Sequence, residues 1–256
     1  MKNEFNISFI GSGNVATQLA KAFKRSGHHI STIYSKFYPN SEKLAENANS
    51  KAVRDIKLID SSSDFIVISV NDDAIQEISE QLFSENSIVV HTSGSVSMDA
   101  LKQHANHGVF YPLQTLSKDE STEFSSIPIL IEANSNENTQ KLELLAKSIS
   151  ENYKYIDSKK RKTTHLAAVM ANNFTNHIFS LLKEFCQEEN VDFSLLKPLI
   201  SKTIENSPPL TGPAKRGDIN TLNKHIEMLE HNSDLKDLYK SISNHILTHY
   251  GHQTKL

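Results

Sequence analysis

The chain has 256 residues, which allows one large domain or two moderate ones. Its hydrophobic fraction of 38% and charged fraction of 22% are typical of a globular protein. A net charge of −3 without a basic block argues against a nucleic-acid partner. The sequence shows no apolar run that would span a bilayer and no apolar signal segment, so we expect no membrane partner and a cytoplasmic location. The single cysteine, Cys186, excludes an intramolecular disulfide and a thiolate metal cluster, and we expect it to be buried on a helix.

A glycine-rich turn stands near the N-terminus. The stretch from Ile7 to Ala16 predicts a strand, a tight turn and a helix start, with the spacing G-x-G-x-x-A. Gly11 allows the sharp turn, Gly13 leaves room for a pyrophosphate, and Ala16 lets the helix pack closely against the strand. The first N–H groups of the helix would face the phosphates. The pattern indicates a dinucleotide site, with a purely structural turn as the alternative. The residues predicted to hold the pyrophosphate are Gly11, Ser12, Gly13, Asn14 and Val15.

The end of the second predicted strand, residues 29–34, indicates which coenzyme is bound. A site for NAD usually has an acid here, which accepts from the ribose 2′-hydroxyl. This chain instead has Ser35 and Lys36, and its next acid is Glu42. A hydroxyl and a cation suit a 2′-phosphate, so we predict NADP rather than NAD. The alternative is that Lys36 is an ordinary solvated lysine. Ser41 is predicted to cap a helix that begins at Glu42.

Polar residues follow two further predicted strands. Asn71 comes after the apolar run 64–70, and a second polar group follows the strand 87–91. Ligands of open α/β sheets bind at the carboxyl ends of strands, so we expect these residues to flank the nicotinamide. Alternatively, Asn71 or Asp72 is only a helix cap. The residues assigned to the nicotinamide are Asn71, Thr92, Ser93 and Gly94.

The pattern of the chain changes near residue 158. Before it, strands and helices alternate, which predicts an α/β fold with a doubly wound, mostly parallel sheet. In addition to the elements above, we expect helices at 74–83, 98–104 and 139–152 and strands at 107–115, 127–132 and 154–157. After it, helical periodicity dominates, with helices expected at 159–189, 193–206, 219–230 and 235–250. The helix at 193–206 is expected to kink or start at Pro198, and the last helix to be capped by Ser233 or Asp234. Residues 207–218 hold three prolines and two glycines and predict an irregular loop. The predicted domains are therefore 1–157, which binds NADP, and 158–256, which is all-helical.

Two features of the helical segment suggest chemistry. His165 and Asn172 are seven residues apart, about two α-helical turns, so they would share a face with the small Ala168 between them. Two polar residues around a small one are typical of a helix that faces a cleft. Equally, the histidine and the asparagine could pack between helices with their hydrogen bonds made. Arg216 is fixed among glycines and prolines and suits a carboxylate or phosphate, or simply pairs with an acid in a rigid connector. His245 and His249 are four apart, but no carboxylate accompanies them, so we predict no metal site.

The motifs together resemble a known family, the Rossmann-like proteins described as predicted NADP oxidoreductases with an uncharacterised C-terminal helical domain. The group is similar in architecture to pyrroline-5-carboxylate reductase, ketopantoate reductase and the 3-hydroxyisobutyrate dehydrogenases. The resemblance implies an N-terminal NADP domain, a helical domain that often dimerises, and a substrate cleft between them. The motifs that carry it are residues 11–16, 91–95, 111–115, 165–173 and 211–218.

One position departs from the hydroxyisobutyrate dehydrogenase pattern, which has a lysine four residues before a catalytic asparagine. When Asn173 is laid on that asparagine, Val169 takes the place of the lysine, and valine cannot move a proton. His165 is then the best acid or base, Asn172 or Asn173 would orient the substrate, and Arg216 would hold a carboxylate. The resulting prediction is a homodimeric oxidoreductase that transfers a hydride between NADPH and a small keto- or imino-acid. The alternative is a nucleotide-binding sensor or scaffold without catalysis.

Overall fold

The computed structural model describes residues 4–84, 86–206 and 209–256. The chain forms two compact units, which divide between Val169 and Met170. The first unit contains the sheet, and the second is helical. The domain boundary between residues 157 and 158 stays a prediction, although a helix does begin at Ser158.

An eight-stranded sheet organises the first unit. Its strand order is β3-β2-β1-β4-β5-β6-β7-β8, and every neighbouring pair is parallel except β6 and β7. This order confirms the predicted doubly wound, mostly parallel sheet. The strands are β1 (Asn6–Ile10), β2 (His29–Tyr34), β3 (Lys51–Val53), β4 (Phe65–Ile68), β5 (Ile88–His91), β6 (His107–Pro112), β7 (Ile129–Ala133) and β8 (Tyr153–Tyr155).

Helices cover both faces of this sheet, so its central strands are buried on both sides. Along β4, Phe65 and Val67 join one hydrophobic cluster, whereas Ile66 and Ile68 join the other. This is the physical reason for the nearly continuous apolar run in the sequence. The helices of the first unit are α1 (Asn14–Arg25), α2 (Tyr38–Ala48), α3 (Ile75–Gln81), α4 (Asn136–Lys147) and α5 (Ser158–Ala168).

Several predicted element boundaries of the first unit were wrong. Helix α2 begins at Tyr38 rather than Glu42, because Pro39 fits the first helical turn. Ser41 is therefore inside the helix, where its buried hydroxyl donates to the Tyr38 carbonyl at 2.7 Å instead of capping. The helix expected at 98–104 is only a 3₁₀ turn, Met98–Leu101. The helix expected at 74–83 is a 3₁₀ turn, Asp72–Ala74, followed by α3.

The second unit is helical, as predicted, but the single long helix expected at 159–189 is interrupted where the two units divide. Residues Val169–Phe174 form a π-helical segment between α5 and α6. Helix α7 begins one residue before Pro198, as expected for a proline in a first turn. The helices of this unit are α6 (Thr175–Glu188), α7 (Lys197–Asn206), α8 (Pro213–Arg216), α9 (Ile219–Met228) and α10 (Ser233–His249).

Two local predictions in this unit were wrong. The region 209–218 is not wholly irregular, because Pro213 opens the one-turn helix α8 between Gly212 and Gly217, both at positive φ. Residues 207 and 208 of the predicted loop lie outside the described part. Helix α10 is capped by the Asn232 side chain, which accepts from the Leu235 N–H at 3.1 Å, rather than by Ser233 or Asp234. Cys186 is buried on α6, as predicted. Among the described helices, none has the length and apolar character that crossing a membrane requires.

Candidate functional site

The turn between β1 and α1 requires glycine at its first position. Gly11 has φ +112°, and its N–H donates to the Tyr34 carbonyl of β2 at 2.8 Å. A Cβ at this position would lie 2.0 Å from the Ser69 carbonyl oxygen. Only glycine therefore allows β1 to turn sharply beside the end of β4.

The second glycine of the turn leaves free space instead. Gly13 is extended, with φ −77° and ψ −169°, and a Cβ there would meet no atom within 4 Å. No side chain caps the first turn of α1, and that turn contains no acid. The start of α1 is therefore open to a ligand, and its N–H groups favour an anion.

One pocket of about 820 Å³ lies over this turn and the carboxyl ends of β1, β2, β4 and β5. All eleven residues predicted to contact the coenzyme line it, and so does His165. Residues that sequence reasoning missed also line it, on elements far apart in the chain: Phe37, Asn40, Ser69, Asp72, Tyr111 and Lys118.

The end of β2 forms one side of this pocket. The Ser12 hydroxyl donates to the Ser35 hydroxyl at 2.9 Å, which joins the glycine turn to the strand end. Lys36 is exposed beside it and lines the same pocket. Among the lining residues, the acid is Asp72 at the end of β4, so the β2 end presents hydroxyls and a cation.

The ends of β4 and β5 form a hydroxyl-rich side. The Ser69 and Thr92 hydroxyls are 3.0 Å apart, and the Ser93 hydroxyl accepts from the N–H of Ser95 at 3.1 Å. Ser95 in turn donates to the Asp72 carboxylate. Asn71 occupies the cap position of the following turn, but its side chain makes no capping hydrogen bond.

A tyrosine–histidine pair lies in the same pocket. The Tyr111 hydroxyl is 2.9 Å from His165 Nδ1, and the two rings meet edge to face with centroids 5.9 Å apart. Gly94 makes this approach feasible, because a Cβ there would lie 2.6 Å from His165 Nδ1. Burial raises the pKa of Tyr111, and the nearby Asp72 carboxylate adds to that effect while Arg161 opposes it. The phenol is therefore protonated at neutral pH.

A buried arginine fastens the helix that carries His165. Arg161, one turn before His165, is fully buried and forms an ion pair with Glu132 of β7. It also donates to the Val96 carbonyl, which lies in the loop after β5. The Ser158 N–H donates to Glu132 at 2.9 Å. The first turn of α5 is thus held on the sheet by hydrogen bonds and an ion pair.

The remaining candidates lie in the second unit. Asn172 and Asn173 are exposed in the π-helical segment, where the Asn172 amide donates to Asn173 at 3.1 Å. The uninterrupted α-helix on which the prediction of a shared face for His165 and Asn172 depended is wrong, because Val169–Phe174 are π-helical and seven residues no longer equal two turns. The shared face itself stays a prediction. Arg216 is exposed at the end of α8 and contributes to the lowered pKa of Asp218, which two hydrogen bonds from Thr221 lower most. Within the described residues, no group of three or more His, Cys, Asp or Glu is arranged to hold a metal.

The chain matches two domain families. Residues 2–115 match a Rossmann-like domain, and residues 127–246 match a domain of unknown function, DUF2520. The fold is therefore that of a Rossmann-like protein. No curated protein is significantly similar to the chain.

Solved structures extend this assignment. A Bacteroides fragilis protein described as a "putative NADP oxidoreductase" is 34% identical, with a TM-score of 0.85, over 96% of this chain and 99% of that one. This chain belongs to the same family, which joins a Rossmann-like domain to a DUF2520 domain. More distant structures share the fold. They are 1-pyrroline-5-carboxylate reductase from Streptococcus pyogenes (13% identity, TM-score 0.64, 96% and 100% coverage) and a reductive aminase from Aspergillus terreus in complex with NADPH (14%, 0.64, 98% and 89%).

Proposed function

We propose that the protein is an NADP-dependent oxidoreductase. The observation that carries this proposal is a single pocket lined by the glycine turn, by Ser35 and Lys36, and by His165. The description of the related B. fragilis protein as an NADP oxidoreductase supports the proposal, and so does the NADPH complex of the reductive aminase.

The residues present fit the coenzyme at both of its charged groups. The open space over Gly13 and the uncapped start of α1 accept the pyrophosphate. Ser35 and Lys36 accept the 2′-phosphate, which a carboxylate at this place would repel. Asn71, Thr92, Ser93 and Gly94 lie on the other side of the turn, at the ends of β4 and β5, and flank the nicotinamide.

His165 supplies a proton to the group that is reduced. When bound, NADPH supplies the hydride. The hydrogen bond between the Tyr111 hydroxyl and His165 Nδ1 fixes the orientation of the imidazole ring and leaves Nε2 available to the substrate. In its protonated form, His165 passes the Nε2 proton to the carbonyl oxygen or imine nitrogen of the substrate and is left as the neutral imidazole. Tyr111 is a positioning residue, because it acts through the imidazole.

We assign a small keto- or imino-acid as substrate. Asn172 or Asn173 orients it, and Arg216 holds its carboxylate in a forked pair of hydrogen bonds. The support for these three residues is their place in motifs of the family and their exposed polar side chains. Val169 stands where related dehydrogenases have a lysine, so this role falls to His165.

We also propose that the protein is a homodimer formed through the second unit. That unit exposes several large apolar side chains, including Leu195 at 71%, Ile204 at 69% and Leu199 at 64%. Exposed large apolar side chains favour association, and a second copy of the chain is the partner that the resemblance implies. A cytoplasmic location stays a prediction from the sequence.

The test measures binding and turnover separately. Calorimetric titration with NADPH and NADH should show binding of both with tighter binding of NADPH. NADPH oxidation is then followed with a panel of keto- and imino-acids, the latter formed from keto-acids and ammonia. His165→Ala should lower kcat by at least about a hundredfold without weakening NADPH binding. His29→Ala, an exposed histidine outside the pocket, is the matched control.

The outcomes separate the two functions considered. Turnover that survives in His165→Ala would refute the acid assignment. Tight NADPH binding without turnover on any substrate of the panel would favour the sensor or scaffold. If the wild-type protein binds neither coenzyme, the proposal fails at its base.

A further inference from the structure

The connection between β6 and β7, residues 113–128, brings a lysine into the coenzyme pocket. Lys118 lines the pocket together with the glycine turn, although 104 residues separate it from Asn14. Its side chain is exposed, and no carboxylate of the described chain pairs with its ammonium group. The lysine is therefore a free cation at a cavity wall that also contains the open start of α1.

This connection is fixed to α1 rather than free to swing. The Lys118 N–H donates to the Asn14 side chain at 3.2 Å, and the Lys118 carbonyl accepts from Lys21 at 3.2 Å. The buried Gln18 amide donates to the carbonyls of Ser117 and of Glu120, the latter at 2.7 Å.

The two ends of the connection are also secured. The Leu113 N–H donates to the Pro128 carbonyl at 2.8 Å, which closes the loop. Leu116 and Phe124 are buried in the hydrophobic cluster that includes residues of α1. Arg25, at the far end of α1, donates to the Thr122 carbonyl at 2.9 Å. The backbone of Lys118 is thus held in place before any ligand arrives.

We propose that Lys118 is a coenzyme-binding residue that pairs with the pyrophosphate beside the start of α1. The α1 N–H groups and the Lys118 ammonium then both present positive charge to the diphosphate. Lys118 differs from Lys36 in what it recognises, because the pyrophosphate is common to NADPH and NADH whereas the 2′-phosphate is not. This inference rests on the proposed function.

The test compares two lysines against two coenzymes by calorimetry at fixed ionic strength. Lys118→Gln should weaken NADPH and NADH equally, by about tenfold, as expected for one lost charge-assisted contact. Lys36→Gln should weaken NADPH alone. Lys118→Arg should restore most of the affinity for both. Lys24→Gln removes the same charge from the last turn of α1, about 15 Å from its start, and should leave both affinities within twofold of wild type.

The failures are distinguishable. If Lys118→Gln binds both coenzymes as tightly as wild type does, this inference is wrong while the proposed function stands. If Lys118→Gln weakens NADPH alone, Lys118 recognises the 2′-phosphate and the pyrophosphate assignment is wrong. If wild type binds neither coenzyme, the proposed function itself fails.

Discussion

The two units of this protein bury apolar residues to very different extents. In the first unit, two large clusters fill both faces of the sheet, and β1, β4 and β5 are almost wholly buried. In the second unit, the described hydrophobic cluster has three buried members. These are Ala214, Leu222 and Leu247. The apolar core of the first unit is thus much larger than that of the second, whose large apolar side chains are more often exposed.

The largest expected effect is in the turn of the first unit. Gly11→Ala should lower the free energy of unfolding by more than about 3 kcal/mol, because the new Cβ meets the Ser69 carbonyl and φ is positive. Gly13→Ala is the matched control, since its Cβ enters open space and its backbone suits alanine. It should keep the stability of wild type while weakening coenzyme binding. Urea unfolding and calorimetry check both variants; equal stability of the two would contradict this account of the turn.

The turn also shows how much the sequence reveals. Spacing alone predicted Gly11 and Gly13, because the backbone of the turn dictates glycine at the first position and the space that a ligand needs favours it at the second. Tyr111 and Lys118 escaped detection, because their contacts with His165 and Asn14 join residues 54 and 104 positions apart. No local pattern encodes such a pairing.

Short or irregular elements could not be predicted from the sequence for another reason. Strand β3 has three residues, too few for an alternation to be recognised. The π-helical segment has the composition of an ordinary helix, so periodicity extended the α-helix through it. Only the structure shows that Asn172 and Asn173 lie in a π-helical rather than an α-helical segment.

A second prediction concerns the fastening of α5. Arg161→Met should lower the free energy of unfolding by about 3 kcal/mol, because it leaves the Glu132 carboxylate without its buried partner. If the ion pair orients His165 as well, kcat should fall with little change in NADPH affinity. Lys160→Met, one residue earlier and exposed, is the control. Unchanged stability in Arg161→Met would show that the ion pair does not hold the helix.

Acid should weaken the first unit through its buried histidines. Burial lowers the pKa of His28 and His104, and it lowers that of His91 to about 3, with Arg161 adding to the effect. As the pH falls below about 6.5, the unfolded chain takes up protons that the folded chain cannot. His91 alone should lower the free energy of unfolding by about 2 kcal/mol between pH 7.5 and pH 5.

The measurement is urea unfolding at pH 7.5, 6 and 5, a range above the acid titration of carboxylates. In the wild-type protein, the Ser93 N–H donates to His91 Nδ1 at 3.1 Å. The amide oxygen in His91→Asn retains an acceptor for this N–H. This variant should lose less stability between pH 7.5 and pH 5 than wild type does. Equal losses would exclude His91 as a source of the acid sensitivity.

The smallest effect on folding, and the sharpest contrast between the units, comes from two exposed leucines. Leu199 of the second unit is 64% exposed, and Leu58 of the first unit is 62% exposed. Replacing either with glutamate should therefore change the free energy of unfolding by less than about 0.5 kcal/mol. Their effects on association should differ, because only Leu199 lies in the unit with the exposed apolar helices. Sedimentation velocity should show a dimer for wild type and Leu58→Glu, and monomer for Leu199→Glu at low concentration. A dimer that survives in Leu199→Glu but dissociates in Leu58→Glu would place the association surface on the sheet unit, and the exposed helices would then need another explanation.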